Sequence, residues 1–420
     1  MRVLNGWVST GNHFEGNDCS YANNNGFEAW SPRNTYVRNK ANHCSYGFWL
    51  GASDQTLLVE NEASHNGDPK GFHNSPHLPD GGHAGIVFMF GPSSHTRCFG
   101  NVCRDNNGAG IALIGDPAKF KAFHWILQQN VLERNRWGIF LQHADWIDVG
   151  PNTFKGNTKG DLHDAGGVTN LARHAGDAGK PPTAKLDGPS TIKAGQKVTF
   201  DASASAAATR FRWDLGDGTT ATTARVEHAY AKPGFYRLGV TVGNGPLSDL
   251  AWRDVYVVED VAELGADAAD WSVVEGDSKA AFAREPGISG DSVRALVEPY
   301  GGARVSLRCK VAPTPLDGRK SLVVWMKVLN PHIPAWQDAN PIITLWDGEK
   351  TLRLTPQGDF LSNLPYIEAR EGWVYFEVPL AGDKQWKREG AIDRVTAISI
   401  GVDSWGAPPL RLWFDGLALK

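Results

Sequence analysis

Two short segments within the first 170 residues carry side chains suited to moving protons. Residues 67–85 and 116–122 together contain the candidate groups His73, His77, Asp80, Lys119 and Lys121. Histidine and lysine can remove a proton from carbon or neutralise a carboxylate, and β-elimination on an acidic sugar needs both of these tasks. We therefore name these five residues as candidate catalytic groups.

Hydrolysis of a glycosidic bond would need a pair of carboxyl groups instead. Glu28 with Asp80 or Asp68 is the pair that the sequence offers. The plainer alternative is that the polar side chains of both segments are solvated, as in most long loops. Long insertions on a rigid scaffold carry function more often than short loops do, so both segments stay candidates.

A metal site is a third hypothesis. His73 and His77 are four residues apart, but Pro76 lies between them and argues against a helix that presents both to one ion. No C-x-x-C pair occurs among the five cysteines, so neither a zinc site nor a disulfide framework is indicated. The metal content stays open, with calcium as the candidate cofactor.

An asparagine repeat indicates the scaffold that must position these segments, since 20 of the 24 asparagines lie in the first 170 residues. Asn17, Asn39 and Asn61 are 22 residues apart, and Asn101 and Asn130 continue the series with 18 and 7 extra residues. A glycine–apolar pair recurs with them, at Gly26-Phe27, Gly47-Phe48, Gly85-Ile86, Gly110-Ile111 and Gly138-Ile139. Such a unit cannot bury its apolar residues alone, whereas stacked units can, and the asparagines then form a ladder. We expect the glycines to supply backbone conformations that other residues avoid.

This pattern resembles right-handed parallel β-helix proteins, the group that includes pectin-lyase-like enzymes and periplasmic carbohydrate-binding proteins. The resemblance predicts a β-helix over residues 1–172. The chain begins close to its first recognisable coil, so we expect further coils upstream in the natural protein, and these could hold catalytic residues. Cys19, Cys98 and Cys103 fall in inward columns, which indicates core packing.

Alternation along the strand after each glycine places Glu28, Trp49 and Phe140 in one outward column, with Trp30 in the next. An outward strip this apolar indicates either a binding surface or a covered interface. The two insertions flank this strand and would turn a flat sheet into a trough. We name Trp49, Trp30 and Phe140 as candidate substrate-binding residues, with burial under the loops or the next domain as the alternative.

Residues 173–182 indicate a linker, and the pattern then changes. The run Trp213-Asp-Leu-Gly-Asp-Gly is followed by His228-Ala-Tyr and Pro233-Gly-Phe-Tyr. These motifs resemble a polycystic-kidney-disease (PKD) domain over residues 181–260, although Leu215 replaces the usual phenylalanine. The resemblance implies an immunoglobulin-like sandwich that acts as an extracellular spacer. Asp214 and Asp217 are expected to hydrogen-bond within the turn rather than to bind a metal.

Residues 261–420 contain seven predicted strands, at 292–297, 303–310, 321–328, 342–346, 373–379, 397–402 and 411–419. Strand layout and the closing run 412–419 resemble jelly-roll carbohydrate-binding modules. Sugar rings stack on exposed aromatic faces, so the residues Trp336, Trp346 and Trp405, in or near loops, are candidate substrate-binding residues. Trp325 and Trp413 lie within strands and are expected in the core.

Composition narrows the function classes. The chain of 420 residues has 42 basic and 46 acidic residues and a net charge of −4, so a nucleic-acid partner is not indicated. No apolar run approaches the length of a membrane span, and no signal peptide is present in this chain.

The all-β architecture of β-helix, PKD sandwich and jelly roll therefore predicts a secreted or cell-surface bacterial protein, expected to be a monomer. We expect it to bind a polysaccharide and to cleave it by lyase or hydrolase chemistry. The alternative is a non-enzymatic adhesion or glycan-binding protein.

Overall fold

The chain folds almost entirely into β-strands, arranged in three consecutive units. The computed structural model describes residues 3–5, 10–51, 53–70, 75, 77–78, 80–89, 93–116, 122–177, 179–275, 279–298, 304–329, 341–357, 372–403 and 410–420. A parallel β-helix comes first, an immunoglobulin-like sandwich second and a jelly-roll β-sandwich last, which confirms the predicted fold class. No helix long and apolar enough to cross a membrane occurs in these described ranges.

The β-helix is built from short strands that recur in the same order in each coil. They are β1 (Val3–Asn5), β2 (His13–Glu15), β3 (Phe27–Ala29), β4 (Thr35–Val37), β5 (Phe48–Leu50), β6 (Leu57–Val59), β7 (Ile86–Phe88), β8 (Ser93–Phe99), β9 (Val102–Arg104), β10 (Ala109–Ile114), β11 (Ala122–Gln128), β12 (Val131–Glu133), β13 (Trp137–Gln142), β14 (Ala144–Val149), β15 (Thr153–Lys155), β16 (Gly160–Asp164) and β17 (Ala172–Arg173). The first sheet has the order β1-β3-β5-β7-β10-β13-β16, and the second has the order β17-β14-β11-β8-β6-β4-β2. The third contains β9, β12 and β15, and all the pairs are parallel. The predicted insertions lie before β7 and after β10.

The predicted asparagine ladder is present. From Asn39 onward, each ladder side chain accepts hydrogen bonds from the backbone and side-chain nitrogens of the asparagine one coil earlier, at 2.9–3.0 Å. Its own amide donates to a backbone oxygen, as Asn61 does to Tyr36 at 2.9 Å. A second ladder, not recognised in the sequence, runs through Asn66, Asn106, Asn135 and Asn157. These ladders satisfy the buried polar groups of the corners.

The glycine column is explained by close approach of neighbouring coils rather than by unusual dihedral angles. A Cβ atom on Gly47 would lie 2.5 Å from the Gly85 carbonyl oxygen and 2.8 Å from the Ala63 Cβ. None of the five glycines in the column has a positive φ. Our expectation about backbone conformation was therefore wrong, because the corner needs the absence of a side chain and not a left-handed backbone.

The inward columns fill the β-helix core as predicted. Phe27, Phe48, Ile86, Ile111 and Ile139 are fully buried and stack in register along the first sheet. All five cysteines of the chain are buried and free of disulfides. Cys98 and Cys103 pair in register with Leu58 and Leu132, which confirms them as core residues.

The second unit is an immunoglobulin-like sandwich of seven strands: β18 (Thr191–Lys193), β19 (Val198–Asp201), β20 (Arg210–Asp214), β21 (Thr220–Ala221), β22 (Arg225–His228), β23 (Gly234–Asn244) and β24 (Leu247–Val258). One sheet has the order β18-β24-β23-β20-β21, and β19 pairs with β22. Asp214 and Asp217 accept backbone hydrogen bonds from Gly216 and Thr219, as the turn prediction required.

This second unit lies directly against the second sheet of the β-helix, so it does more than space its neighbours apart. Asp148, almost fully buried, accepts hydrogen bonds from Ser248 at 2.6 Å and from Arg212 at 3.3 Å. His124 and Asp214 form an ion pair at 2.9 Å when the imidazole is charged. Close by, the His95 ring stacks on that of His124, 4.7 Å away.

The third unit follows a short 3₁₀ helix, Ala268–Asp270, and has eleven strands: β25 (Trp271–Glu275), β26 (Lys279–Pro286), β27 (Asp291–Glu298), β28 (Arg304–Pro315), β29 (Ser321–Leu329), β30 (Ile342–Asp347), β31 (Lys350–Pro356), β32 (Trp373–Pro379), β33 (Trp386–Gly390), β34 (Arg394–Asp403) and β35 (Leu410–Leu419). A six-stranded sheet, β25-β28-β34-β30-β31-β33, packs on a five-stranded sheet, β26-β27-β35-β29-β32. All seven predicted strands are present, and β25, β26, β31 and β33 were missed.

Candidate functional site

The outward column of the first β-helix sheet is covered rather than open. Glu28, Trp49 and Phe140 lie in the predicted register, but Trp49 is only 6% exposed and Phe140 only 2%. Leu78 of the first insertion packs on this apolar cluster, and Gly82 pairs with Gly108 beside it. The expected open trough was therefore wrong at this place, because the insertion folds back and shields the apolar strip from water.

Polar contacts fix the insertion to the same sheet. The Ser75 hydroxyl donates to the Asn25 side-chain oxygen at 2.8 Å, and the His83 Nε2 lies 3.1 Å from the Ser75 carbonyl oxygen. His83 also packs against the ring of Tyr46, whose pKa burial raises far above its usual range. His77 is exposed and lies edge-on to His83, with 5.1 Å between the ring centres.

Glu28 and Asp80, one of the two carboxylate pairs named from the sequence, contact strands that lie far apart in this sheet. Glu28, on β3, accepts hydrogen bonds from Asn25 at 3.2 Å and from the Trp30 indole at 3.4 Å. Asp80 is exposed, and its backbone carbonyl accepts from the Trp137 indole, on β13, at 3.1 Å. Four strand spacings separate β3 from β13, about 19 Å in all. The structure therefore does not bring them together as a glycosidase pair.

Several predicted residues fall outside the described part of the chain. They are His73, Lys119, Lys121, Trp336 and Trp405. Their roles stay predictions. Among the described residues, no group of three or more His, Cys, Asp or Glu side chains is arranged to hold a metal ion.

A second candidate site lies on the outer face of the six-stranded sheet in the third unit, where the predicted residue Trp346 contacts two residues that were not predicted. Trp346, on β30, is half-buried, and its indole donates to the Ser399 hydroxyl on β34 at 2.7 Å. The Arg308 guanidinium, on β28, lies over the indole ring, 4.5 Å from the ring centre. Three neighbouring strands thus hold one aromatic ring and one cation in a fixed arrangement.

The floor of this face is made of small residues. On the central strand β34, the outward side chains alternate with the core residues Ile398 and Ile400. The small outward residues are Ala397, Ser399 and Gly401. Larger partly exposed residues stand on both sides, with Arg308 on β28 and Arg353 on β31. These three floor residues are buried, with Ala397 at 2% and Ser399 at 1% exposure, whereas Trp346, Arg308 and Arg353 around them are partly exposed. We call this outer face of the sheet the β34 groove.

The opposite face of the third unit is occupied by the second unit. Trp325, on β29, is 2% exposed and contacts the rings of Tyr375 and of Tyr256 in the second unit. The Tyr375 hydroxyl is hydrogen-bonded to Glu259, and the pKa of Tyr375 is raised, first by burial. Trp325 is therefore buried as expected, but at a contact between units. Trp413 is half-buried, with its indole donating to Glu285 at 2.9 Å.

Sequence reasoning found Trp346 but missed Arg308, Arg353 and Ser399. Alternation along β28 would have placed Arg308 outward, between the buried residues Leu307 and Cys309. What the sequence does not show is that β28, β34 and β30 are neighbours. That pairing brings residues 308, 346 and 399 together.

Comparison with protein families identifies the first two units. Residues 7–154 match the model of the right handed beta helix region, and residues 179–249 match that of the PKD domain. The chain thus combines a β-helix and a PKD domain, in agreement with the resemblances found in its sequence, with a third, β-sandwich unit. A search of curated proteins found no match.

Solved structures share only general features with the chain. A structure of carbohydrate-binding modules from the β-sandwich superfamily is 13% identical, covering 58% of this chain and 100% of that one, with a TM-score of 0.28. A family 11 carbohydrate-binding module of the cellulase Lic26A-Cel5E of Clostridium thermocellum is 10% identical, covering 38% of this chain and 92% of that one, with a TM-score of 0.27. Tailspike protein 2 of the Escherichia coli O157:H7 bacteriophage CAB120 is 9% identical, covering 71% of this chain and 46% of that one, with a TM-score of 0.27. These scores lie well below 0.5 and assign no ligand to this chain.

Proposed function

We propose that this protein binds a polysaccharide in the β34 groove of its third unit. The observation that carries the proposal is the fixed Trp346 ring, half-buried beside a floor of small residues. An aromatic ring on an accessible sheet face offers a flat apolar surface to a sugar ring, and polar rim groups can meet its hydroxyls. A polysaccharide ligand also suits a protein that acts outside the cell or on its surface.

Two features support the groove over the β-helix strip. The insertion removes Trp49 and Phe140 from solvent, so their contact with a saccharide would require the insertion to move. At the groove the floor is buried too, but the rim residues Trp346, Thr344 and Arg353 are partly exposed as they stand and can meet a ligand. Preformed sites bind at a lower ordering cost.

The proposal is tested by polysaccharide binding of the full chain and of the variant Trp346→Ala. Loss of a stacked ring costs about 1.4 kcal/mol or more, which is at least a tenfold weaker affinity. Trp413→Ala is the matched control, because it removes the same side chain from the other sheet of the same unit. Unchanged affinity in Trp346→Ala, or an equal loss in both variants, would refute the groove as the binding site.

Cleavage of the bound polysaccharide is a second candidate function, located on the β-helix. The half-buried Glu28 carboxylate, on the outer face of the first sheet, favours this second function. It accepts hydrogen bonds from Trp30 and Asn25, and Asn25 in turn accepts one from Ser75 of the insertion. Lyase activity on a uronate polysaccharide would produce unsaturated sugars that absorb in the ultraviolet. We expect this absorbance to fall sharply in His77→Ala and Lys119→Ala, and full activity in both variants would exclude a lyase site here.

A further inference from the structure

Two arginines stand on opposite sides of the β34 groove, with the Trp346 indole beside Arg308. Arg308, Ser399, Thr344 and Arg353 are successive neighbours across strands β28, β34, β30 and β31. Three strand spacings separate the two arginines, about 14 Å of sheet. The register residues between them are a serine and a threonine, and the Trp346 indole covers the serine. An extended ligand would therefore cross the sheet over the indole, with one guanidinium near each side.

No ion pair neutralises either cation among the side chains that the structure describes. Neither Arg308 nor Arg353 forms an ion pair within the described part of the chain, whereas the nearby Asp347 is paired with Arg394 at 3.0 Å. Glu389 is the register neighbour of Arg353, but its carboxylate is held by Lys387 at 2.8 Å. The pKa of Glu389 is lowered by that hydrogen bond first, with a smaller contribution from the charge of Arg353.

The remaining charges on this face are of both signs. Lys310 projects on the same side of β28 as Arg308 and is exposed, and Lys387 projects from β33. By register, this face holds the cationic residues Arg304, Arg308, Lys310, Arg353 and Lys387 and the acidic residues Glu275, Glu389 and Asp403, a small positive excess in a chain whose net charge is −4. A local excess of one sign in an otherwise acidic protein raises the local concentration of ligands of the opposite sign.

Arg308 is also held in place before any ligand binds. Its guanidinium lies over the Trp346 ring at 4.5 Å, and the indole is itself anchored by Ser399. A stacked guanidinium keeps its planar N–H groups available at the edge, where they can meet two oxygens of one carboxylate or sulfate. The stack also covers part of one indole face, which reduces the area left for a neutral sugar ring.

We infer that the β34 groove selects an anionic polysaccharide, one whose carboxylate or sulfate groups meet Arg308 and Arg353. This inference rests on the proposed function and adds the chemical class of the ligand. The chemistry that such ligands share is a series of anionic groups, each with at least two oxygens, spaced along an extended polysaccharide chain. Uronate and sulfated polysaccharides both supply it, and binding measurements distinguish the two.

The test measures affinity of the full chain for three polymers by isothermal titration calorimetry: polygalacturonate, dextran sulfate and a neutral galactan. We expect at least tenfold tighter binding to one or both anionic polymers than to galactan, and a marked loss of that affinity between 50 and 500 mM salt, since exposed charge pairs are screened. Whichever anionic polymer binds more tightly identifies the anion.

Arg308→Gln and Arg353→Gln should each lower the affinity for the preferred anionic polymer about fivefold or more, with little effect on any binding to galactan. Arg411→Gln is the matched control, an exposed arginine on the five-stranded sheet. Galactan bound as tightly as both anionic polymers, or arginine variants that match the control, would overturn the inference while leaving polysaccharide binding intact. If none of the three polymers binds, the proposed function fails, and the inference fails with it.

Discussion

Replacing one asparagine in the middle of the ladder should destabilise the β-helix far more than replacing one at its end. The Asn61 side chain makes four hydrogen bonds: its oxygen accepts twice from Asn39 at 3.0 Å, and its amide donates to Tyr36 and Asn101 at 2.9 Å. In Asn61→Ala the backbone N–H of Asn39 and one of its amide hydrogens lose their partners inside the protein.

The expected size of the effect follows from those two orphaned donors. Each buried unsatisfied group costs about 1–3 kcal/mol, so the free energy of unfolding should fall by about 2–6 kcal/mol. Asn17→Ala is the matched control, because the Asn17 amide donates to Asn39 and to the Glu15 carbonyl at a partly exposed position, where water can replace it. Its loss should be about 1 kcal/mol.

Urea denaturation followed by far-ultraviolet circular dichroism measures the difference, and hydrogen exchange locates it. Exchange should accelerate in residues 35–63 of Asn61→Ala and not in the third unit. Asn61→Asp separates hydrogen bonding from cavity formation, because it keeps the volume and removes the donors. A loss in Asn61→Ala no larger than in Asn17→Ala, or a neutral Asn61→Asp, would refute the ladder as a source of stability.

Three further predictions concern the contact between the first two units and the thiols. Burial holds the pKa of His95 well below 6.5, so the unfolded chain takes up a proton that the native chain does not. The effect of His95 on the free energy of unfolding is absent above pH 6.5 and should lower that free energy by about 1.4 kcal/mol per pH unit below it. In urea titrations at falling pH, the wild type should therefore lose stability more steeply than His95→Leu. Asp148→Asn should cost about 2–5 kcal/mol, because Arg212 and His174 lose a buried carboxylate; a thermal midpoint equal to wild type would contradict this. Burial raises the pKa of Cys44 to about 11, so native protein should react with Ellman's reagent far more slowly than urea-unfolded protein, and equal rates would refute thiol burial.

The repeat could be predicted because its signal is local and regular. Asn17, Asn39 and Asn61 recur at a constant interval, and each occupies one corner whose hydrogen bonds are the same in every coil. Stacking identical units then places like residues above like without further information. The PKD motif was recognisable for a similar reason, since Trp213 and the turn after it lie within a few residues of one another.

The candidate site could be predicted only in part, because it depends on which surfaces the tertiary structure covers. Trp49 was placed correctly in an outward column, yet it is buried in a cluster on which Leu78 of the first insertion packs. Periodicity states which way a side chain points from its strand and says nothing about what packs against that face. The same limit hid the contact between the second sheet of the β-helix and the PKD domain.

The sequence by itself determined the three folds, the ladder and the direction of each strand side chain, because these follow from short-range periods and turn chemistry. Only the tertiary structure decided that Trp346, Ser399 and Arg308 meet. They are brought together by antiparallel pairing of β30 and β28 with β34, between segments 53 and 91 residues apart in the chain. Such pairing is selected by the packing of the whole sandwich core, which no local pattern encodes.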